Sequence, residues 1–284
     1  MKEQARQARA ENRIIGLVPT MGALHRGHLA LIELARRECS TVIASIFVNP
    51  KQFGPAEDFS KYPRTFDSDR EKLEQVGANL LFAPEAAEIY PPGFSSYIEV
   101  EGLSERLEGR SRPGHFRGVA TVVMKLLQIV QPNVAYFGRK DAQQSRIITQ
   151  MSRDLNLDSE IVVCPIVREP DGLAMSSRNA YLNADERKAA TVLHRALDAA
   201  KNEVAAGVRD ALQLQTVLRR VLSTEKLARV DYAEIVDAET FQPVVRVSKP
   251  CYLVFAVFIG KTRLIDNLYI ESKESASDEL VFHF

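Results

Sequence analysis

What most constrains this 284-residue chain is an alternation, over its first 167 residues, of short β-branched runs with longer runs of helical period. "RIIGLVP" (13–19) is apolar throughout and reads as a buried strand. "GHLALIELARREC" (27–39) follows, with Leu31, Leu34 and Ala35 on one helical face. "TVIASIFVN" (41–49) is a second strand. Strand, helix and strand in this order form a βαβ unit, so the strands should be parallel and the crossover right-handed. The grammar repeats: a helix over 66–77 capped by Asp67 or Ser68, a strand over 78–84, an apolar helix over 119–132 stopped at Pro132, a strand over 133–138, a helix over 142–157 and a strand over 160–167. This predicts an α/β, Rossmann-like open parallel sheet with helices on both faces.

The pattern changes after Arg178. Residues 183–207 read as one long helix, capped by Asn183 and stopped at Gly207, and 210–222 as another. The runs 229–238, 251–260 and 262–270 are strand-like and joined by short turns, as in an antiparallel sheet. The expected division is a Rossmann-like domain over 1–175 and a smaller α+β lid domain over 176–284. The polar start of the tail "ESKESASDELVFHF" reads as mobile, with an apolar end able to dock.

Charge narrows the function classes. With 37 basic and 37 acidic residues, the chain lacks the basic excess of a nucleic-acid binder. No apolar run is long enough to span a bilayer, and the first residues lack a signal-type apolar core. Cys39, Cys164 and Cys251 form no C-x-x-C pair, and an odd count suits a reducing compartment, hence a cytoplasmic protein.

Four stretches carry chemistry, each at the end of an expected strand, where open parallel sheets bind ligands. "PTMGALHRGH" (19–28) puts Met21, Gly22, Ala23, Leu24, His25, Arg26, Gly27 and His28 at a strand-to-helix turn. The new helix offers free N–H groups and a positive dipole end to an anion, and the imidazoles can donate to phosphate oxygens. Two histidines alone are too few ligands for a metal. "FVNPKQFG" (47–54) supplies the neutral amides Asn49 and Gln52, able to read a hydroxyl and a carboxylate of a small hydroxy acid. "FGRKDAQQ" (137–144) supplies Gly138 for close backbone approach, Lys140 for phosphate, Asp141 for ribose hydroxyls and Gln144 for the same crevice. "DGLAMSSRN" (171–179) supplies Ser176, Ser177 and the forked guanidinium of Arg178. Each is an ordinary turn when taken singly. The four together, in this order, are not.

These stretches carry a resemblance. "PTMGALHRGH" resembles the H-x-G-H signature, and "MSSR" the K-M-S-K-S-type loop, of the nucleotidylyltransferase-like α/β superfamily. With "RPGHFRGVATVV" (112–123) added, the set resembles the pantoate–β-alanine ligase family along nearly the whole chain. Arg139 stands where family members often carry an acidic residue, Ala142 where many carry an aromatic, and the tail beyond Lys273 has no family counterpart. The resemblance implies ATP-dependent condensation of (R)-pantoate with β-alanine through pantoyl adenylate, and a homodimer. It assigns catalysis to His28 (the best candidate acid), His25, Lys140 and Arg178. It assigns ATP to residues 21–28, Gly138, Arg139, Lys140, Asp141, Val167, Met175, Ser176, Ser177 and Arg178. Gln52 and Gln144 would hold pantoate, Gln52 would also face β-alanine, and Mg²⁺ would arrive with ATP rather than in a protein cage.

Two other readings compete: a different member of the superfamily, such as a nucleotide-transferring enzyme or an aminoacyl-tRNA synthetase, and a non-catalytic nucleotide-binding module. The neutral charge and short C-terminal half oppose the tRNA enzyme. The complete set of histidine and charged positions opposes the binding module.

Overall fold

The computed structural model describes residues 1–55, 57–272 and 280–283. The chain begins with helix α1 (Lys2–Ala10), then β1 (Ile15–Thr20), α2 (Arg26–Glu38), β2 (Thr41–Ile46), α3 (Phe66–Gln75) and β3 (Leu80–Phe82). The single-turn helices α4 (Ala86–Ile89) and α5 (Glu108–Ser111) precede α6 (His115–Val130), β4 (Val134–Gly138), α7 (Ala142–Asp154) and β5 (Glu160–Cys164). These strands form one parallel sheet in the order β3–β2–β1–β4–β5.

Burial explains why they do so. Ile15, Leu17 and Val18 of β1 and Val42, Ile43 and Ala44 of β2 are fully buried, as expected of strands covered on both faces. Leu31, Ile32 and Ala35 of α2 pack with Val18, Val42 and Ala44 in one apolar cluster. Helix α6 is buried along most of its length and stops at Gln131, which takes the left-handed conformation just before Pro132. The chain runs outward from β1 through β2 to β3, then returns to β4 on the other side of β1. The topological switch point therefore lies between the C-terminal ends of β1 and β4, the position where such sheets bind ligands.

The second half contains α8 (Ala184–Ala189), α9 (Val192–Ala205), α10 (Ala211–Leu222), β6 (Ala228–Asp237), β7 (Cys251–Ile259), β8 (Thr262–Ser272) and β9 (Leu280–His283). The strands are antiparallel in the order β6–β7–β8–β9. Leu193, Leu197, Leu214 and Leu218 of the helices share a core with Leu253, Phe255, Val257 and Leu268 of the sheet.

Several expectations need correction. The first ten residues, to which the sequence pattern assigns no element, form α1, which buries Ala5 and Ala8. The helix expected over 66–77 needs no side-chain cap from Asp67 or Ser68, because it starts at Phe66 and places Asp69 in its first turn. The strand expected to reach Val167 ends at Cys164. The single helix over 183–207 is two, because Thr191 turns its hydroxyl back onto the Lys188 carbonyl (2.8 Å) and α9 starts afresh at Val192. The apolar end of the tail forms β9 against β8, while its polar part, 273–279, lies outside the described residues. Finally, the chain divides into compact units at 1–164 and 165–284, rather than at the expected 175/176 boundary. Residues 165–175 join the second unit because Leu173 is buried in its core and Arg168 pairs with Asp266 of β8.

Candidate active site

In the first unit, β1 ends at Thr20 and α2 begins at Arg26, with the expected histidines between and just beyond them. Gly22 and Ala23 both adopt positive φ (80° and 50°), and the turn they make presents the backbone N–H groups of Ala23 and Leu24 on one side. That side is occupied by Asp69, which sequence reasoning had left as an ordinary helix residue. Its buried carboxylate accepts from Ala23 N and Leu24 N, each at 2.8 Å, and from Thr65 Oγ1 at 3.1 Å. Lys72, one turn further along α3, donates to the Leu24 carbonyl at 2.8 Å. Thr20 closes the other side, donating to Ser45 O and accepting from Gly22 N. The turn is thus rigid before any ligand arrives.

The two histidines are fixed by the helix they begin. His25 is the N-cap, and its Nδ1 accepts from Gly27 N at 3.2 Å. His28 Nδ1 reaches back to His25 N at 3.4 Å, completing a reciprocal capping box. The rings lie 4.1 Å apart, centroid to centroid. Because both Nδ1 atoms act as acceptors, the neutral tautomer of each ring carries its proton on Nε2.

Burial, then His28 and Lys140, pull the His25 pKa down to about 3. Burial, then Lys140 and Lys72, pull that of His28 down to about 4. At neutral pH both rings are uncharged Nε2–H donors. For His28, expected as the best candidate acid, burial is the larger cause and the two lysines add to it.

The Lys140 charge comes from the other side of the switch point, after β4. Lys140 and Asp141 follow β4, with Lys140 Nζ 3.6 Å from Asp141 Oδ1. An added Cβ at Gly138 would meet nothing within 4 Å, so there is room over its backbone. Gln144 lies in the first turn of α7, half-buried, and its side chain has no hydrogen-bond partner among the described residues.

Gln52 is held on every side. It ends the short helical turn Pro50–Gln52, is buried, and points its Nε2 at Met21 Sδ (3.1 Å), which brings the second motif to the first. Asn49 Nδ2 donates to Gln52 Oε1 at 2.9 Å. The Gln52 carbonyl accepts from His115 Nδ1 at 2.8 Å and from Arg112 Nη2 at 3.4 Å. Arg112 in turn forms a two-pronged bond to Glu57, at 2.9 and 2.6 Å. An added Cβ at Gly118 would sit 2.2 Å from the Lys51 carbonyl oxygen, so only glycine lets α6 approach this turn. "RPGHFRG" is therefore the clamp under Gln52, a role its sequence resemblance did not reveal. Asn49 is spent internally and has nothing left for a ligand.

The second unit carries Val167, Met175, Ser176, Ser177 and Arg178. Met175 N donates to Val167 O at 3.0 Å, so these two side chains are neighbours. Ser176 caps the short helical turn Ser177–Tyr181 by accepting from Arg178 N at 3.3 Å. Ahead of this segment, Pro170, Asp171 and Gly172 form a tight turn anchored within this unit. Arg168 Nη1 donates to Gly172 O at 2.9 Å, Glu169 N donates to Leu173 O, and an added Cβ at Gly172 would fall 1.9 Å from the His194 ring.

Comparison with known proteins identifies the family. The family model for Pantoate-beta-alanine ligase matches residues 1–269. A pantothenate synthetase of Chloroflexus aurantiacus is 55% identical over 269 residues, covering 94% of this chain and 96% of that protein. One from Caldicellulosiruptor bescii is 50% identical over 273 residues, covering 96% and 97%. The crystal structure of a Thermus thermophilus pantothenate synthetase superposes with a TM-score of 0.89 at 47% identity, covering 93% of this chain and 96% of that one. That of a Francisella tularensis pantoate-beta-alanine ligase, described as complexed with beta-gamma ATP and beta-alanine, superposes with 0.75 at 36% identity, covering 94% of each. A match over nearly the full length, with the histidine turn and both glutamines held by dedicated contacts or placed at strand ends, leaves one conclusion: the chain belongs to the pantoate–β-alanine ligase family, the pantothenate synthetases.

Proposed function

We propose that this ligase joins (R)-pantoate to β-alanine through pantoyl adenylate. In the first step a pantoate carboxylate oxygen attacks the α-phosphorus of ATP, and the bond to pyrophosphate breaks. In the second the β-alanine amine attacks the acyl carbon, loses a proton, and the bond to AMP breaks.

The observation that carries this reading is the pair of neutral imidazoles at the end of the central strand, each with Nδ1 tied to backbone and Nε2–H left to donate. Donors fixed in advance stabilise the charge that builds on the phosphate oxygens at no cost of reorganisation. Lys140 adds a full positive charge, and the start of α2 adds its dipole. Gly138 and Asp141 hold the ribose. Val167 and Met175 flank adenine, and Ser176, Ser177 and Arg178 of the second unit hold phosphate charge as it redistributes.

Gln52 and Gln144 orient pantoate, with Gln52 also facing β-alanine. Mg²⁺ enters with ATP: among the described residues no three His, Cys, Asp or Glu side chains gather as a metal site, and both Asp69 oxygens already serve the turn. The ion would be held mainly by phosphate oxygens and would supply charge neutralisation on the polyphosphate. The assembly we assign, as the family resemblance implies, is a homodimer; light scattering that found a monomer would overturn it. Three free, buried cysteines fit a cytoplasmic setting.

The test is ATP–pyrophosphate exchange with pantoate alone, before β-alanine is added. The parent enzyme should exchange, and His28→Ala should lose roughly 10²-fold or more, the scale of a lost charge-stabilising donor. Near-normal exchange in a folded His28→Ala enzyme would contradict the assignment.

A further inference from the structure

Gln52 can face its ligand with either end of its amide, and the surrounding hydrogen bonds decide which. The decision starts at Asn49. Its side chain lies 3.1 Å from the Gly118 carbonyl, which can only accept, and 3.2 Å from Lys51 N, which can only donate. These two backbone groups leave one orientation: Nδ2 toward Gly118 O and Oδ1 toward Lys51 N. Two consequences follow. Tyr90, whose hydroxyl oxygen lies 2.8 Å from Asn49 Oδ1, must be the donor there. And Gln52, which meets the remaining Nδ2 hydrogen at 2.9 Å, must present Oε1 to Asn49. Its Nε2 is then the end left over, and it rests against Met21 Sδ, a weak acceptor that a ligand oxygen outcompetes.

Tyr90 sits just past α4, with its ring against Phe94 (5.0 Å between centroids) and Phe47 (6.2 Å). Burial drives its pKa upward, so the hydroxyl keeps its proton across the working range.

We propose that Tyr90 is a positioning residue for the reaction: by donating to Asn49 Oδ1 it holds in place the amide that Gly118 O and Lys51 N orient, and so reinforces Gln52 as a hydrogen-bond donor toward a substrate carboxylate or hydroxyl oxygen, against the reversed amide that would favour an ammonium. The proposal rests on the reading of Gln52 as a pantoate and β-alanine contact. It assigns a task to a tyrosine that lies outside the four sequence motifs and meets Gln52 only through Asn49.

The experiment compares Tyr90→Phe, Gln52→Ala and the double variant, with KM measured for pantoate, β-alanine and ATP, kcat measured in parallel, and thermal melting as a control. Tyr90→Phe keeps the stacked ring. It should raise the KM for pantoate about 3- to 10-fold, the range of one lost buried hydrogen bond, with the KM for ATP unchanged. Gln52→Ala should raise it further, and adding Tyr90→Phe to Gln52→Ala should change it by less than about twofold, because both act on one contact. Asn49→Asp, which turns the relay's donor into an acceptor, should exceed Tyr90→Phe. Multiplicative effects in the double variant, or an equal rise in the KM for ATP, would make Tyr90 a general packing residue and overturn the proposal. A raised KM in Gln52→Ala with none in Tyr90→Phe overturns the proposal alone. Unchanged KM values for both pantoate and β-alanine in Gln52→Ala overturn the reading of Gln52, and the proposal with it.

Discussion

The histidine turn of the first unit and the Ser-Ser-Arg segment of the second are given to the same polyphosphate by our reading, yet they are built differently. The histidine turn is pinned along its length. Asp69 holds Ala23 and Leu24, Lys72 holds the Leu24 carbonyl, and the capping box holds both imidazoles. The Ser-Ser-Arg segment is pinned at its base. Arg168 forms a two-pronged ion pair with Asp266 (2.7 and 2.9 Å), its Nη1 also holds Gly172 O, and Leu173 is buried. One arrangement fixes donors in place. The other mounts a short arm on a rigid footing, so that any movement of Ser176–Arg178 is carried by the second unit's frame, not by a loose Pro-Asp-Gly hinge.

The first way to break this comparison is to remove the pin. Asp69→Ala leaves the backbone donors of Ala23 and Leu24 unpaired in a buried turn, which costs about 1–3 kcal/mol for each such group. The imidazoles would lose their register, and pyrophosphate exchange should fall by about 10²-fold or more, as for loss of a pre-set donor array. Asp69→Asn, which can accept only one of the two bonds well, should fall between Asp69→Ala and the parent. Exchange within about threefold of normal in Asp69→Ala would show that the turn holds its shape without the carboxylate.

The second way is to loosen the footing. Arg168→Ala leaves the carboxylate of Asp266, wholly buried, without its partner, and such a loss destabilises by about 3–5 kcal/mol. The double change Arg168→Met with Asp266→Leu should recover most of that stability, since a matched apolar pair avoids the desolvation penalty. Adenylation should drop by about 10-fold in Arg168→Ala. Release of pantothenate from supplied pantoyl adenylate should drop less, because pyrophosphate has already left and less phosphate charge remains for Arg178. Equal losses in both steps would mean that the segment serves each alike.

The same two regions show what the sequence could and could not tell. The alternation of strand and helix revealed the parallel sheet, because burial on both faces writes itself as continuous apolar runs such as Ile15–Val18. The histidine turn was legible because its chemistry sits in ten consecutive residues. Asp69 was not, since nothing in "FDSDREKLEQ" signals a bond to residues 45 and 46 positions earlier. The roles of Tyr90, Arg112 and His115 were hidden for the same reason: each acts on Gln52 or Asn49 across 41 to 63 positions. The domain boundary was misjudged because a side-chain pair, Arg168 with Asp266, assigns residues 165–175 to the second unit. Local pattern reports elements and motif chemistry. The contacts that hold a motif still are non-local.

The smallest expected effect separates the units by acidity. His25, His28 and His115 all lie in the first unit, and burial holds each pKa low, at about 3, 4 and 4, with Arg112 adding to the effect on His115. The unfolded chain protonates these groups near pH 6.5. Between that value and the folded pKa, the unfolded state binds more protons, so stability rises with pH and is lost as pH falls. Above about pH 7 the three contribute no slope. Going from pH 7.5 to 5.5 should cost about 1 kcal/mol for each histidine, all of it drawn from the first unit. Hydrogen exchange resolved by segment is the measurement. At pH 5.5, amides of β1 and the turn after it should lose protection before those of β7 in the second unit. His115→Asn, which keeps a donor toward the Gln52 carbonyl, should remove about one third of the acid sensitivity. ATP bound at the histidine turn should raise the pKa of His25 and His28 and remove much of the rest. Protection that falls evenly in β1 and β7, or a pH slope unchanged in His115→Asn, would show that the acid response is shared by both units and does not arise from the buried imidazoles.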